Sequence, residues 1–137
     1  MKKLLKTKKN KKYFLFKITE EDYLTFMNLS GDKSLVHSNK KFCIRNNFKG
    51  KVVYGGLLLA KLSNVLSKTT NGNIAISLSW NIIFHYPLYV NDKIKIIMTK
   101  YDYIKTKKIM KKEFLVHKNN KKIASINVIQ KVLKNYY

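Results

Sequence analysis

Residues 55–68 read Gly-Gly-Leu-Leu-Leu-Ala-Lys-Leu-Ser-Asn-Val-Leu-Ser-Lys, and this stretch decides the fold. Apolar side chains occupy most of its circumference at helical spacing, which predicts a helix that is buried on several sides. With about 14 residues and a length of roughly 21 Å, the helix is too short to cross a membrane but long enough to cross a domain. Gly72 ends the helical pattern.

The sequence after this helix is typical of antiparallel strands. Residues 74–84 alternate in polarity, which is the pattern of a half-buried strand. The predicted apolar face consists of Ile74, Ile76, Leu78, Trp80, Ile82 and Phe84. We expect Trp80 to lie in the core. Three further strands are predicted at Ile94–Tyr103, Ile109–His117 and Ile123–Leu133, with a hairpin turn at residues 118–120.

An antiparallel sheet with one apolar face must be covered by another element, and the helix at 55–68 is the only segment apolar enough. A curved antiparallel sheet wrapped around a long central helix is the hotdog fold, an α+β architecture. We therefore expect residues 13–137 to form a single hotdog domain after a basic tail, residues 1–12.

The segment before the central helix predicts a short strand at 13–18 and two small helices. Thr19 is typical of an N-cap because three acids follow it, and Ser30-Gly31 is typical of a helix end. A second small helix is predicted around residues 42–44.

Charge is the most unusual feature of the composition. The formal net charge is +22, but of the 29 basic residues only Arg45 is an arginine. Proteins that read phosphate and guanine favour arginine, and abundant Lys, Asn and Ile are typical of an AT-rich coding sequence. We therefore interpret most lysines as a solvated surface rather than a nucleic-acid face, with anionic small ligands or an acidic partner as the alternatives.

Length and cysteine usage exclude several classes. The 137 residues fit one domain and contain no apolar run long enough to span a bilayer. No signal-peptide pattern is found near the start, so we expect a cytoplasmic protein. The single cysteine, Cys43, excludes an internal disulfide, and three histidines with one cysteine could scarcely build a metal site.

Two short segments carry residues suited to chemistry. Asp32 and His37 stand five positions apart in a predicted loop, and such a pair can converge on one water molecule. The alternative is an Asp that caps the loop beside a surface histidine. Gly55 and Gly56 open the central helix, where bare N–H groups can bind a carbonyl oxygen. Glycines at this position are equally explained by close packing.

Together these features resemble the MaoC-like dehydratases and (R)-specific enoyl-CoA hydratases of the hotdog superfamily. The family motif opens Gly-Asp-x-Asn-Pro-x-His and reaches Phe-x-x-x-x-Val-His-Gly-Met-Leu at the central helix. The resemblance extends over nearly the whole chain after residue 12, and residues 84–92 match a later Phe-x-x-Pro segment. The matching positions are Gly31, Asp32, His37, Phe42, Phe48, Gly55, Leu57 and Ser63.

The chain departs from the family motif at several positions. Ser34-Leu35 replaces Asn-Pro, and we expect the loss of the proline to loosen the loop. Tyr54-Gly55-Gly56 replaces His-Gly-Met, and Gly56 in place of methionine is expected to widen the space beside the helix and so to alter substrate choice. None of these changes removes the acid, the histidine or the backbone donor.

The resemblance implies a hydratase or dehydratase that interconverts a trans-2-enoyl thioester and a (R)-3-hydroxyacyl thioester. By the same resemblance, Asp32 and His37 hold the water and the Gly55 N–H binds the thioester oxygen. Ser63, Tyr54 and Gly56 are expected to support the site. No metal or cofactor is implied beyond coenzyme A or acyl carrier protein as the substrate carrier. A homodimer or higher even oligomer is expected, since a sheet with an open edge seeks a partner.

Two other function classes remain open at this stage. A hotdog acyl-CoA thioesterase commonly places a carboxylate on or near the central helix, and residues 55–68 contain no Asp or Glu. A non-catalytic module that binds an acyl thioester, a carrier protein or nucleic acid would show no turnover of any enoyl thioester. Salt-sensitive binding to DNA at physiological ionic strength would favour the nucleic-acid alternative.

Overall fold

The structure, a computed structural model, describes residues 11–133. The predicted basic tail, residues 1–12, lies outside this range except for Lys11 and Lys12. In chain order the elements are β1 (Tyr13–Lys17), α1 (Glu20–Ser30), α2 (Leu35–Ser38), α3 (Lys40–Arg45), α4 (Gly55–Ser67), β2 (Ala75–Phe84), β3 (Lys93–Ile104), β4 (Ile109–Lys118) and β5 (Lys121–Val132).

The five strands form one antiparallel sheet in the order β1-β3-β4-β5-β2, so β1 and β2 are its edges. The core lies between this sheet and α4, as the sequence predicted. From α4 the core includes Leu57, Leu58, Leu62, Val65 and Leu66. No helix within residues 11–133 is long and apolar enough to span a membrane.

One face of α4 is exposed, which differs from the prediction that it is buried on several sides. Ala60, Ser63 and Asn64 lie on this exposed face. The sheet covers the opposite side of the helix, and α1 contacts part of what remains. The chain therefore buries one broad side of α4 and leaves a polar strip uncovered.

Helix α1 positions the loop that follows it. Its N-terminus is closed by a capping box, in which the Thr19 hydroxyl accepts from the Asp22 N–H and the Asp22 carboxylate accepts from the Thr19 N–H. Asp22 also forms an ion pair of 2.8 Å with Lys61, which ties α1 to α4. The helix ends at Gly31, whose φ of 67° is the left-handed conformation that favours glycine. The predicted cap and helix end are both confirmed.

The predicted environment of β2 is wrong in two respects. A bulge between Ser77 and Ser79 shifts the register of β2 against β5. Ile76 lies opposite Lys131, whereas Trp80 lies opposite the buried Val128. Residues 128 and 131 are three positions apart on β5, so they face opposite sides of the sheet. The predicted single apolar face is therefore divided between the two sides of the sheet, because a bulge adds one residue to one strand. Trp80 is 36% exposed rather than buried, since β2 is an edge strand.

Lys112 is an exception to the predicted lysine-coated surface. It lies on β4 and is only 1% exposed. Its ammonium group donates to Gln130 Oε1 at 2.7 Å and to Thr69 Oγ1 at 3.1 Å, just past the C-terminal end of α4. Burial lowers the pKa of Lys112 to about 8, because the charged form loses hydration. Both hydrogen-bond partners are neutral, and within residues 11–133 no carboxylate forms an ion pair with this ammonium group.

We expect this lysine to make stability depend on pH. Between pH 8 and 10.5 the folded protein carries neutral Lys112 while the unfolded chain still binds its proton, so the free energy of unfolding rises with pH. The integrated effect is on the order of 3 kcal/mol. The free energy of unfolding, measured by urea denaturation across this pH range, should rise less steeply with pH for Lys112→Met than for the wild type. The control is Lys111→Met, because Lys111 is an exposed neighbour on the same strand and its loss should leave the slope unchanged.

Candidate active site

The loop after α1 brings Asp32 and His37 together. The Asp32 carboxylate accepts from the Ser34 N–H at 2.9 Å, and the short helix α2 then carries His37 back toward it. His37 Nε2 lies 3.9 Å from Asp32 Oδ2, a separation that one water molecule can bridge from the side. The hydrogen bond from Ser34 holds the pKa of Asp32 below its usual value, so this carboxyl group is ionised at neutral pH.

A backbone carbonyl fixes the orientation of the His37 ring. Nδ1 lies 2.7 Å from the carbonyl oxygen of Val52. Because a carbonyl oxygen only accepts, Nδ1 carries the hydrogen, and Nε2 is the nitrogen that faces Asp32. The hydrogen bond to Val52 therefore leaves Nε2 as the nitrogen that can exchange a proton on the side of the carboxylate.

Gly55 is the first residue of α4, and both interpretations of this glycine are compatible with its surroundings. Among the described residues its N–H has no hydrogen-bond acceptor, as expected in the first turn of a helix. A Cβ at this position would lie 2.8 Å from Cζ of Phe84, so the aromatic ring packs directly on the glycine. The glycine thus permits close packing and leaves an open amide.

A cavity of about 390 Å³ lies at this end of α4. His37 and Gly55 both contribute to its wall, and most of the remaining wall is apolar or aromatic. The other lining residues are Phe48, Val52, Val53, Tyr54, Leu58, Phe84, His85, Tyr86, Pro87 and Leu88. Such a cavity suits a small apolar group with a polar centre. Within residues 11–133, no three His, Cys, Asp or Glu side chains are grouped as a metal site would require.

Two tyrosines support the loop from the core. Tyr54 is 2% exposed, its hydroxyl donates to the Asp32 carbonyl at 2.7 Å, and its ring stacks on His37 with centroids 4.1 Å apart. The Tyr23 hydroxyl donates to the His37 carbonyl. Sequence reasoning included Tyr54 as a supporting residue but missed Tyr23. Its only sequence signal was a place on the apolar face of α1.

The structure does not bring Ser63 into this site. Its side chain is exposed on α4, and it makes no hydrogen bond to the loop within the described residues. Gly56 does not line the cavity. The prediction that a glycine here widens the space beside the helix is wrong. The ring of Phe26, on α1, already occupies the position that a Cβ on Gly56 would take.

The fold and the site together define a hotdog domain with an acid–histidine pair at the N-terminus of its central helix. Residues 6–123 match the family described as MaoC like domain. The chain therefore belongs to the MaoC-like dehydratase family, and the resemblance stated from the sequence is confirmed. A comparison with curated proteins gives no match.

Solved structures of hydratases and a dehydratase share the fold, which confirms the predicted hotdog architecture. The (R)-hydratase from A. caviae involved in PHA biosynthesis is 19% identical, with 90% of this chain and 94% of that chain covered and a TM-score of 0.78. R-hydratase PhaJ1 from Pseudomonas aeruginosa is 21% identical, with 91% and 81% covered and a TM-score of 0.77. The HadBC (3R-hydroxyacyl-ACP dehydratase) complex from Mycobacterium tuberculosis is 14% identical, with 92% and 98% covered and a TM-score of 0.66.

We expect Gly56→Ala to destabilise the protein by about 1–3 kcal/mol, because the new methyl group must displace the Phe26 ring. Thermal or urea unfolding measures this effect. In a Phe26→Leu background the penalty should shrink, since the smaller side chain vacates the space. The control is Gly50→Ala, because no atom lies within 4 Å of a Cβ at that position. Equal effects of the two alanine substitutions would contradict the packing assigned to Gly56.

Proposed function

We propose that the chain catalyses the reversible hydration of a trans-2-enoyl thioester to a (R)-3-hydroxyacyl thioester. One observation carries the proposal: the Asp32 carboxylate lies 3.9 Å from Nε2 of His37, and His37 lines the same cavity as Gly55, whose N–H has no acceptor within residues 11–133. Membership of the MaoC-like dehydratase family supports the same class of reaction.

In the proposed reaction, the thioester carbonyl oxygen accepts a hydrogen bond from the Gly55 N–H. Negative charge grows on this oxygen as the nucleophile adds to the β-carbon. A helix N-terminus favours that charge because its amide dipoles are aligned and need no reorganisation. A donor of this kind is typically worth about 2.7–4 kcal/mol in the transition state.

The attacking water is proposed to lie between the acid and the histidine. An ionised Asp32 and the lone pair of His37 Nε2 are both acceptors, so one water can donate a hydrogen to each and direct its own lone pair at the β-carbon. The water oxygen bonds to the β-carbon, one of the two groups takes the proton, and the pair returns a proton to the α-carbon. The reverse sequence removes water from the hydroxyacyl thioester.

Lysines beside the cavity support an anionic carrier, either coenzyme A or acyl carrier protein. A second cleft of about 370 Å³ is lined by Lys40, Lys49, Lys51 and Lys118, together with the acids Glu20 and Asp92. It adjoins the cavity along the chain, since Phe48 and Val52 line the cavity and residues 49–51 line the cleft. Ammonium groups suit carrier phosphates or carboxylates as point charges.

We also propose that the chain forms a homodimer through β2. This strand is an edge of the sheet, and its apolar side chains are exposed, with Leu78 at 56% and Phe84 at 52%. Phe84 packs on Gly55, so a partner on this edge would lie next to the cavity. The structurally similar HadBC (3R-hydroxyacyl-ACP dehydratase) is a complex.

We expect Asp32→Asn and His37→Ala each to lower the rate of crotonyl-CoA hydration at least about 100-fold, because each removes one of the two groups that hold and deprotonate the water. Loss of the enoyl absorbance measures the rate, and thermal unfolding checks that both variants remain folded. The matched controls are Asp102→Asn and His117→Ala, which change strand residues outside the cavity. Wild-type turnover in either site variant would refute the assignment.

The dimer is tested by sedimentation. We expect sedimentation to give the wild type a molar mass twice that of one chain. Leu78→Glu should lower this mass toward that of the monomer, because a charge on the exposed edge opposes strand pairing. Leu29→Glu is the control, since Leu29 is 82% exposed but lies on α1. A monomeric wild type, or a shift of equal size in both variants, would rule out pairing through β2.

A further inference from the structure

The loop that carries Asp32 and His37 has little contact with the core through its side chains. Residues 31–35 are all exposed, and only Val36 and His37 are partly buried. Exposed loops with few apolar contacts open at low free-energy cost. Water activation nevertheless requires the carboxylate, the imidazole and the Gly55 amide to keep fixed relative positions. The loop must therefore be held by hydrogen bonds from residues that are themselves rigid.

We propose that Tyr54 is the positioning residue that holds the acid–histidine loop against the Gly55 amide. The effect of this residue on turnover rests on the proposed hydratase function, whereas its effect on the loop does not. Tyr54 is buried, precedes Gly55 directly in the chain, and contacts both members of the pair. We assign Tyr54 no part in proton transfer, because its hydroxyl donates to the backbone carbonyl of Asp32.

The hydroxyl of Tyr54 fixes the start of the loop. It donates to the Asp32 carbonyl at 2.7 Å, across 22 positions of the chain. Burial raises the pKa of Tyr54 above its usual value, so the hydroxyl stays protonated and remains a donor at neutral and mildly alkaline pH. The backbone of Asp32 is thereby attached to a side chain that is 2% exposed.

The ring of Tyr54 fixes the end of the loop. It stacks on the imidazole of His37 with an interplanar angle of 30°, and the hydrogen bond from Nδ1 to the Val52 carbonyl fixes the rotation of the imidazole in its plane. Tyr23 adds a hydrogen bond to the His37 carbonyl. Tyr54 contacts both ends of the loop and directly precedes Gly55, which carries the amide donor.

Leu35 shows why the loop needs this support and offers a way to test it. It is the first residue of α2, it is 52% exposed, and its N–H has no acceptor among the described residues. Ser34 before it is extended, with φ −55° and ψ 147°. A proline fits this position, because it needs no N–H at the start of a helix and prefers an extended residue before it. Leucine does not restrict the backbone angle φ at this position, whereas a proline would hold φ close to its helical value.

The test is a double-mutant cycle between Tyr54→Phe and Leu35→Pro. Tyr54→Phe keeps the stacked ring and removes only the hydroxyl, so we expect kcat for crotonyl-CoA to fall about tenfold, with KM nearly unchanged. Leu35→Pro alone should leave kcat equal to the wild type or higher. In the double variant, the proline should restore at least half of the decrease in log kcat that Tyr54→Phe causes. The control is Tyr103→Phe, an exposed residue near the far end of β3.

Hydrogen exchange of the amides in residues 32–38 tests the same proposal without turnover. Exchange should be faster in Tyr54→Phe than in the wild type or Tyr103→Phe, and Leu35→Pro should slow it again. If the wild type hydrates no enoyl thioester while this exchange pattern holds, the hydratase function fails and the positioning role survives. If exchange in this loop is unaffected by Tyr54→Phe, or if proline restores neither exchange nor kcat, the positioning role is overturned.

Discussion

The burial of α4 against the sheet is the constraint on which the rest of the structure depends. Leu58, Leu62 and Val65 are at most 1% exposed, and each such side chain contributes about 1.5–3 kcal/mol when it leaves water. Because this packing leaves the helix no freedom to rotate or slide, it also fixes the first turn, where Gly55 presents its N–H. The ion pair between Asp22 and Lys61 then places α1, and with it the start of the acid–histidine loop, relative to the same helix.

Periodicity predicted the parts of the fold that repeat along the chain. The apolar spacing of α4, the four later strands and the cap at Thr19 are all local patterns, and each was found where the sequence placed it. The environment of Trp80 could not be predicted in this way. A bulge at residues 77–79 reverses which side of the sheet each following residue faces, and the position of β2 at the edge is a property of strand order. Neither feature changes the alternation of apolar and polar residues in the sequence.

The sequence predicted those residues of the candidate site that lie close together in the chain. Asp32 and His37 belong to one loop, so their spacing and the family motif pointed to them, although their catalytic roles stay a prediction. The residues that surround them come from distant parts of the chain. Phe26 fills the space beside Gly56, and Tyr23 bonds to a carbonyl 14 positions away. Lys112 likewise finds Thr69 at a separation of 43 positions. Such contacts depend on how the helices and strands pack, which periodicity does not contain.

The site divides its work between a rigid helix and an exposed loop, and this division has a physical reason. An oxyanion donor must point at one place without rearranging, so a helix N-terminus held by the core is suited to it. An acid and a base must meet water and substrate, so an exposed loop is suited to them, but such a loop is mobile. Hydrogen bonds from buried groups to the loop resolve this conflict, because they restrain the backbone without burying the carboxylate. Tyr23 and Tyr54 act in this way by donating to the His37 and Asp32 carbonyls, while the Val52 carbonyl accepts from the His37 ring. These bonds leave Asp32 with a side chain that is 45% exposed and ionised.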